Sequence, residues 1–316
     1  MTSLHRASGQ WRLGLLLSLA TAACWATLPI ALKIVLDVLD PITLTWFRFV
    51  VAALCTGAWL AARGKLRGYG VLGRRGWALL LLAGFMLLGN YVFYLLGVQY
   101  TSPGNAQLLI QLAPLLMALG GIFVFGEVFR PAQWAGLALL VAGLGLFFRD
   151  QLLQADAAAT ATSTGYAFGS ALVVVAAVVW AVYALVQKQL LVKLGSMQVL
   201  AVIYVIAAVV LLPFAKPATL LALDSTHAWL LLYCALNTVG AYGAFAEALA
   251  HWEASRVSAV LATTPLLCIA AVTAVHALWP QWLEAERITA LGWTGAGLAV
   301  AGSAAVSLLG RRRAPR

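Results

Sequence analysis

Ten apolar segments run along this chain, at about 13–33, 41–62, 77–97, 104–125, 132–148, 166–187, 197–213, 228–250, 256–278 and 289–309, and the second five repeat the first five. Trp25 is followed by Lys33 near the end of the first segment, and Trp180 is followed by Lys188 at the same spacing in the sixth. Tyr91 and Pro114 recur as Tyr242 and Pro265 at an offset of 151, and Glu127, Gly136 and Gly143 recur as Glu286, Gly295 and Gly302 at an offset of 159. The jump between the two offsets places an insertion near 276–283. Each segment is close to the roughly 20 residues that cross about 30 Å of hydrocarbon at 1.5 Å per residue. An odd number of crossings per repeat makes the two halves enter a bilayer from opposite faces.

Composition leaves no soluble alternative. The chain has 316 residues, of which 63% are hydrophobic and 9% charged, with a mean hydropathy of +0.95; a soluble domain carries about 25% charged residues. Lipid offers no partner for backbone N–H and C=O groups, so spanning segments of this length are helices. The expected fold is therefore an all-α integral membrane protein with ten transmembrane helices in two inverted-topology five-helix repeats. The expected divisions are 1–150 for the first repeat, 151–165 for an external linker rich in Ala and Thr, 166–310 for the second repeat and 311–316 for a basic tail.

The net charge of +10 does not point to nucleic acid, because the basic residues are sorted by side. With an inside N-terminus, fourteen of them fall in one set of loops and tails, including the run Arg63, Lys65, Arg67, Arg74 and Arg75, while only Arg149, Lys216 and Arg287 fall in the other. The positive-inside rule then puts both termini in the cytoplasm. Arg6 and Arg12, the leucine-rich run after them and Ala20-Thr21-Ala22 imitate a signal peptide. The apolar run continues to about Val38, and the Trp–Lys spacing recurs mid-chain, so this stretch reads as an uncleaved first helix. Cys24, Cys55, Cys234 and Cys268 all lie in apolar segments and read as packing residues.

Few residues in the spans can carry chemistry. Arg48 lies about six residues into the second segment, where a cation costs a few kcal/mol. It either faces a cavity and attracts an anionic group such as a substrate carboxylate, or snorkels outward or pairs with Asp37 or Asp40. Glu247 is the one acid within a span, a candidate for proton coupling or for a salt bridge to Lys188, Lys193 or Arg256. Gln107 and Gln111 share one helix face. Pro114 and Pro265 each remove a backbone hydrogen bond and are candidate hinges. Asn90, Tyr91 and Tyr94, their counterparts Asn237 and Tyr242, and Trp25, Trp180 and Tyr183 sit too deep for a headgroup belt, so they line a cavity or pack helix on helix. Gly136, Gly143, Gly295 and Gly302 permit close helix approach. Lys33 and Lys188 are expected to reach headgroups. The four histidines have no metal-ligand spacing, no phosphate-cradling Gly-Lys-Ser/Thr loop is present, and no metal or cofactor is expected.

Trp25, Lys33, Arg48, Tyr100-Thr-Ser-Pro-Gly-Asn-Ala106, Pro114, Gly126-Glu127, Gln133, Gly136 and Gly143 together resemble the EamA-type carriers of the drug/metabolite transporter superfamily. The resemblance covers nearly the whole chain, in two copies. It implies a central cavity surrounded by helices 1, 3, 4, 6, 8 and 9, with helices 2 and 7 flanking and 5 and 10 outside. The second half departs from the pattern: it has no Arg equivalent to Arg48, and it carries Glu247 and His251 where the third segment is uncharged. The expected function is a secondary carrier of the bacterial inner membrane that exports small organic metabolites, amino acids or related zwitterions, by alternating access. Its expected partners are a small-molecule substrate, lipid and a proton as candidate coupling ion, and it is expected to be a monomer or weak homodimer. The alternatives are efflux of lipophilic cations or drugs, which calls for an acidic cavity, and a non-transport membrane enzyme, scaffold or receptor. An enzyme would need paired titratable groups at one depth, which the spans lack.

Overall fold

A computed structural model describes residues 10–66, 68–125, 130–158, 163–251, 257, 260–284 and 286–309. The described residues form helices and connections, with no strand. In chain order the helices are α1 (Trp11–Val35), α2 (Pro41–Ala62), α3 (Arg74–Tyr100), α4 (Pro103–Leu109), α5 (Leu112–Phe125), α6 (Pro131–Ala158), α7 (Ser163–Leu190), α8 (Ser196–Leu211), α9 (Ser225–His251), α10 (Thr264–Leu278) and α11 (Ala290–Leu309). Six stretches, in α1, α2, α3, α6, α7 and α9, are long and apolar enough to cross a membrane alone, and Ser196–Leu211, Thr264–Leu278 and Ala290–Val306 are shorter apolar helices. The segment expected to be a linker over 151–165 is mostly helical: α6 continues to Ala158 and α7 begins at Ser163. Its alanines, read as linker composition, are the strongest helix formers.

The fourth span is two helices, and the cause is local. Pro114 has no N–H for the Ile110 carbonyl. That carbonyl accepts from Ala113 N at 2.9 Å instead, while Leu108 O accepts from Gln111 N at 3.1 Å. These tight turns end α4 at Leu109 and restart the chain as α5 at Leu112. The second half breaks at the matching place. Pro265 leaves the Leu261 carbonyl without its helical donor, the Thr264 hydroxyl donates to it at 2.6 Å, and a turn at Ala262 and Thr263 separates helical residues 260 and 261 from α10.

The halves interlock rather than standing side by side. The most extensive helix contact is α6 with α11, followed by α3 with α7 and α1 with α9. Next come α2 with α8, α5 with α7, α2 with α9, α1 with α10 and α3 with α8. Exchanging each helix for its counterpart in the other half (α1 for α7, α2 for α8, α3 for α9, α5 for α10, α6 for α11) returns the same set of pairs. This is a pseudo-twofold arrangement, and each half buries its apolar faces chiefly against the other. The α6–α11 seam is glycine-lined on both sides. A Cβ on Gly143 would lie 2.6 Å from Gly295 O, and one on Gly302 would lie 2.5 Å from Gly136 O.

At the end predicted to face outward, charged groups tie helix ends together. Lys33 does not reach for headgroups. Its Nζ donates to the carbonyls of Val98, Gln99 and Thr101 at 2.8–3.0 Å, because the last carbonyls of α3 lack intrahelical donors and carry the negative end of the helix dipole. Glu286 accepts from Gly104 N at 2.8 Å at the start of α4. Burial pushes its carboxyl above the usual range, against the opposing pull of that N–H, of Ser102 and of Lys33. Asp150 accepts from the N–H of Thr289 at 3.2 Å and from its hydroxyl, just before α11. The counterparts Glu127 and the Lys188 side chain lie outside the described residues, as does Arg256.

Candidate functional site

Asp40 caps α2, accepting from the N–H groups of Ile42 and Thr43 at 3.1 and 3.0 Å, and Pro41 fills the first helical position. That use of Asp40 bears on Arg48, two turns further along. Its guanidinium turns away from the cap and into the protein, where the residue is only 4% exposed. Nε donates to the Thr238 hydroxyl on α9 at 3.1 Å; that hydroxyl spends its own proton on Cys234 O at 3.0 Å, leaving a lone pair for Arg48. The guanidinium carbon lies 4.7 Å from the centroid of the Tyr91 ring on α3, within cation–π range. Among the described residues no carboxylate pairs with Arg48, and its Nη nitrogens have no partner yet are not sealed from solvent. Desolvating a cation without a counter-ion costs several kcal/mol. Water or an anionic ligand at the Nη groups relieves that cost.

Aromatic rings extend outward from Arg48. Tyr91 packs against Phe49 at 4.7 Å between centroids, and Phe49 against Tyr204 at 5.8 Å. The Tyr242 hydroxyl lies near both Tyr91 and the Trp180 indole. Tyr242 meets Trp25 edge-on at 5.6 Å, and Trp180 meets Tyr183 edge-on at 6.3 Å. Trp25, Tyr91, Trp180, Tyr183 and Tyr242 thus join Arg48 in one continuous set drawn from α1, α2, α3, α7 and α9. Tyr94 and Tyr242 are half-buried.

The amides divide by role. Tyr94 OH donates to Gln107 Oε1 at 3.0 Å, which leaves the Gln107 NH2 group without a protein acceptor among the described residues. Gln111 sits in the turn between α4 and α5, is 9% exposed, and its side chain has no partner among the described residues. Asn90 and Asn237 act between the halves: Asn90 Nδ2 donates to Ala176 O on α7 at 2.9 Å, and Asn237 Nδ2 to Cys24 O on α1 at 2.9 Å and to Tyr233 OH at 3.1 Å. These are the two helix pairs that exchange under the pseudo-twofold. Asn237 Oδ1 is buried without a partner.

Glu247 stands apart from this set. Its side chain is 63% exposed and lies 3.1 Å from His251 Nε2, one turn along α9; it makes no ion pair with Lys193, and the Lys188 side chain and Arg256 lie outside the described residues. No group of three His, Cys, Asp or Glu among the described residues could hold a metal ion. Sequence reasoning missed Thr238, which nothing distinguishes from other intramembrane threonines, and Pro29, which lies inside α1 and leaves the Trp25 carbonyl without its helical donor. It also gave Glu286 no role, although the Glu127–Glu286 repeat was a usable signal.

Comparison with known proteins places this arrangement among transporters. The EamA-like transporter family matches residues 12–149 and again residues 167–308. The uncharacterized inner membrane transporter YhbE of Escherichia coli (strain K12) is 37% identical over 301 residues, covering 95% of this chain and 92% of that protein. A probable amino-acid metabolite efflux pump of the same organism is 24% identical over 304 residues, covering 90% and 92%. The aromatic amino acid exporter YddG of Ancylobacter novellus is 30% identical over 166 residues, covering 52% and 54%. One crystal structure at 21% identity superposes with a TM-score of 0.62 over 97% of this chain and the whole of that one, a likeness of fold.

Proposed function

Given that the chain belongs to the EamA-like transporter family, we propose that this membrane transporter is a secondary carrier. It exports small organic metabolites, amino acids and related zwitterions, across the bacterial inner membrane by alternating access. The observation that carries the reading is Arg48: a buried cation with no carboxylate partner among the described residues, open Nη groups and an aromatic wall, held between helices of opposite halves. Donors dominate the polar part of the set, through Arg48, Gln107 and Gln111, and suit a substrate carboxylate. The rings of Trp25, Trp180 and Tyr242 suit its apolar body.

The two repeats, 1–150 and 166–310, rock about the pseudo-twofold. The breaks at Pro114 and Pro265 are the hinges, because each already lacks the bonds that would hold a continuous helix straight. Both termini face the cytoplasm. The names of two relatives, an amino-acid metabolite efflux pump and an aromatic amino acid exporter, agree with this cargo class. Efflux of lipophilic cations calls for an acid at the centre, where this chain places an arginine. Proteoliposomes loaded with a mixed pool of amino acids test the proposal: release of one or more of them faster than from protein-free liposomes is expected, and release of none refutes it.

A further inference from the structure

Charge in the interior is one-sided. All ten acidic residues can be placed on the chain. Asp37 and Asp40 join α1 to α2, Glu127 lies between α5 and α6, and Asp150 and Asp156 lie in the last turns of α6. Asp224 precedes α9, Glu247 and Glu253 lie at and beyond its end, and Glu284 and Glu286 precede α11. Among the described ones, none shares the depth of Arg48, Tyr91 and Thr238. Among the described residues the centre therefore offers a cation for a carboxylate and no anion for an ammonium.

The neutral acceptors do not make up the difference: Gln111 Oε1 is open, but one amide oxygen does not offset the desolvation of an ammonium. The Tyr91 ring face is already occupied by the Arg48 guanidinium. Asn237 Oδ1 is unpartnered but walled off from solvent, so a ligand does not reach it in this conformation. Gln107 Oε1 is taken by the Tyr94 hydroxyl. A buried ammonium without an acceptor is costly, whereas a hydroxyl or an acylated nitrogen carries no charge to desolvate.

Resting on the carrier reading above, we propose that this transporter recognises its cargo through the carboxylate alone, with Arg48 as the specificity-determining residue and Thr238 as the residue that orients it. The cargo class is then small apolar or aromatic carboxylates, including N-acyl amino acids and 2-hydroxy acids, with the free amino group dispensable. Thr238 acts through Arg48: its hydroxyl accepts from Nε and so fixes the orientation of the guanidinium plane that carries the two Nη groups.

The test is a matched ligand series on the full-length protein in detergent, read by ligand-dependent thermal stabilisation: phenylalanine, N-acetylphenylalanine, 3-phenyllactate, phenylalanine methyl ester and phenethylamine. The three carboxylates are expected to bind within about tenfold of one another. The ester and the amine are expected to bind about tenfold to hundredfold more weakly, the worth of one hydrogen-bonded charged group. Arg48→Gln should erase the difference between acid and ester; Arg48→Lys, which keeps the charge and guards against misfolding, should retain the order with lower affinity. Thr238→Val should narrow the acid-to-ester ratio, which a purely structural role would leave unchanged. If phenylalanine binds and both N-acetylphenylalanine and 3-phenyllactate do not, the ammonium is recognised and this inference is overturned while the amino-acid carrier reading stands. If the two acids lacking an ammonium bind and phenylalanine does not, this inference stands and the amino-acid cargo falls. If no carboxylate binds better than the amine and ester, both fall.

Discussion

Replacing Gly143 with alanine adds one methyl group where two helices already touch through backbone. Its Cβ would lie 2.6 Å from Gly295 O, against an ordinary contact of 3.4–4 Å, and the Ala299 backbone is closer still. Neither partner is a side chain that can rotate away, so α6 and α11 must separate by about 1 Å along the seam. Overpacking of this kind costs about 1–3 kcal/mol, and backbone-on-backbone collision puts this site at the upper end. The same helices carry their own controls: a Cβ on Gly145 or Gly297 would meet nothing within 4 Å. Alanine at either should be neutral, or stabilising by up to about 1 kcal/mol through helix propensity. The expected gap between Gly143→Ala and Gly145→Ala is thus about 2–4 kcal/mol. The pseudo-twofold adds a second requirement, because Gly302→Ala meets Gly136 O at 2.5 Å and should cost about as much as Gly143→Ala. Equilibrium unfolding of the four variants in mixed micelles reads these differences. Equal stability of Gly143→Ala and Gly145→Ala would refute the close seam, and a loss at Gly143 without one at Gly302 would refute the symmetry.

Three more outcomes are expected. Gln111→Leu should abolish release from loaded proteoliposomes while monodispersity and melting temperature stay near those of the parent protein; unchanged transport would remove Gln111 from the site. Gly104→Ala drives a methyl into the Glu286 carboxylate and should break its bond to the start of α4. That costs about 1–2 kcal/mol of stability, read by unfolding, and Glu286→Gln, which can still accept from Gly104 N, should lose less. Because burial raises the Glu286 carboxyl above its ordinary value, the folded protein binds that proton more tightly than the unfolded chain does. The contribution is fully present below the ordinary glutamate value and is lost as pH rises through the raised one. Unfolding measured across mildly acidic to neutral pH should show that slope in the parent and a flatter one in Glu286→Gln.

Much of the fold was legible because lipid reduces the choices to helices, and because two copies of each signal remove accidents of composition. Trp25 with Trp180, and the glycine pairs of α6 and α11, carry the relation between the halves in the sequence itself. What was not legible turned on directions and partners. Pro114 and Pro265 announced broken helices, but the breaks lie upstream of the prolines, at 110–111 and 262–263, because a missing N–H frees the carbonyl one turn earlier. Arg48 could be placed in depth but not in direction. Asp40 was a plausible partner on spacing until its carboxylate proved committed to capping α2. Lys33 looked like a headgroup anchor since nothing in sequence shows that the end of α3 presents three carbonyls to it. Glu247 and His251, four apart on one helix, were close enough to pair on spacing alone, and that local pair is what forms.

Alternating access of one central site makes a demand that neither a channel nor a scaffold meets. Proteoliposomes preloaded with unlabelled phenylalanine should take up labelled phenylalanine transiently above its equilibrium level, with the overshoot lost in Arg48→Gln. Uptake that only relaxes to equilibrium, or an overshoot equally large in Arg48→Gln, would contradict a carrier whose site is built around that arginine.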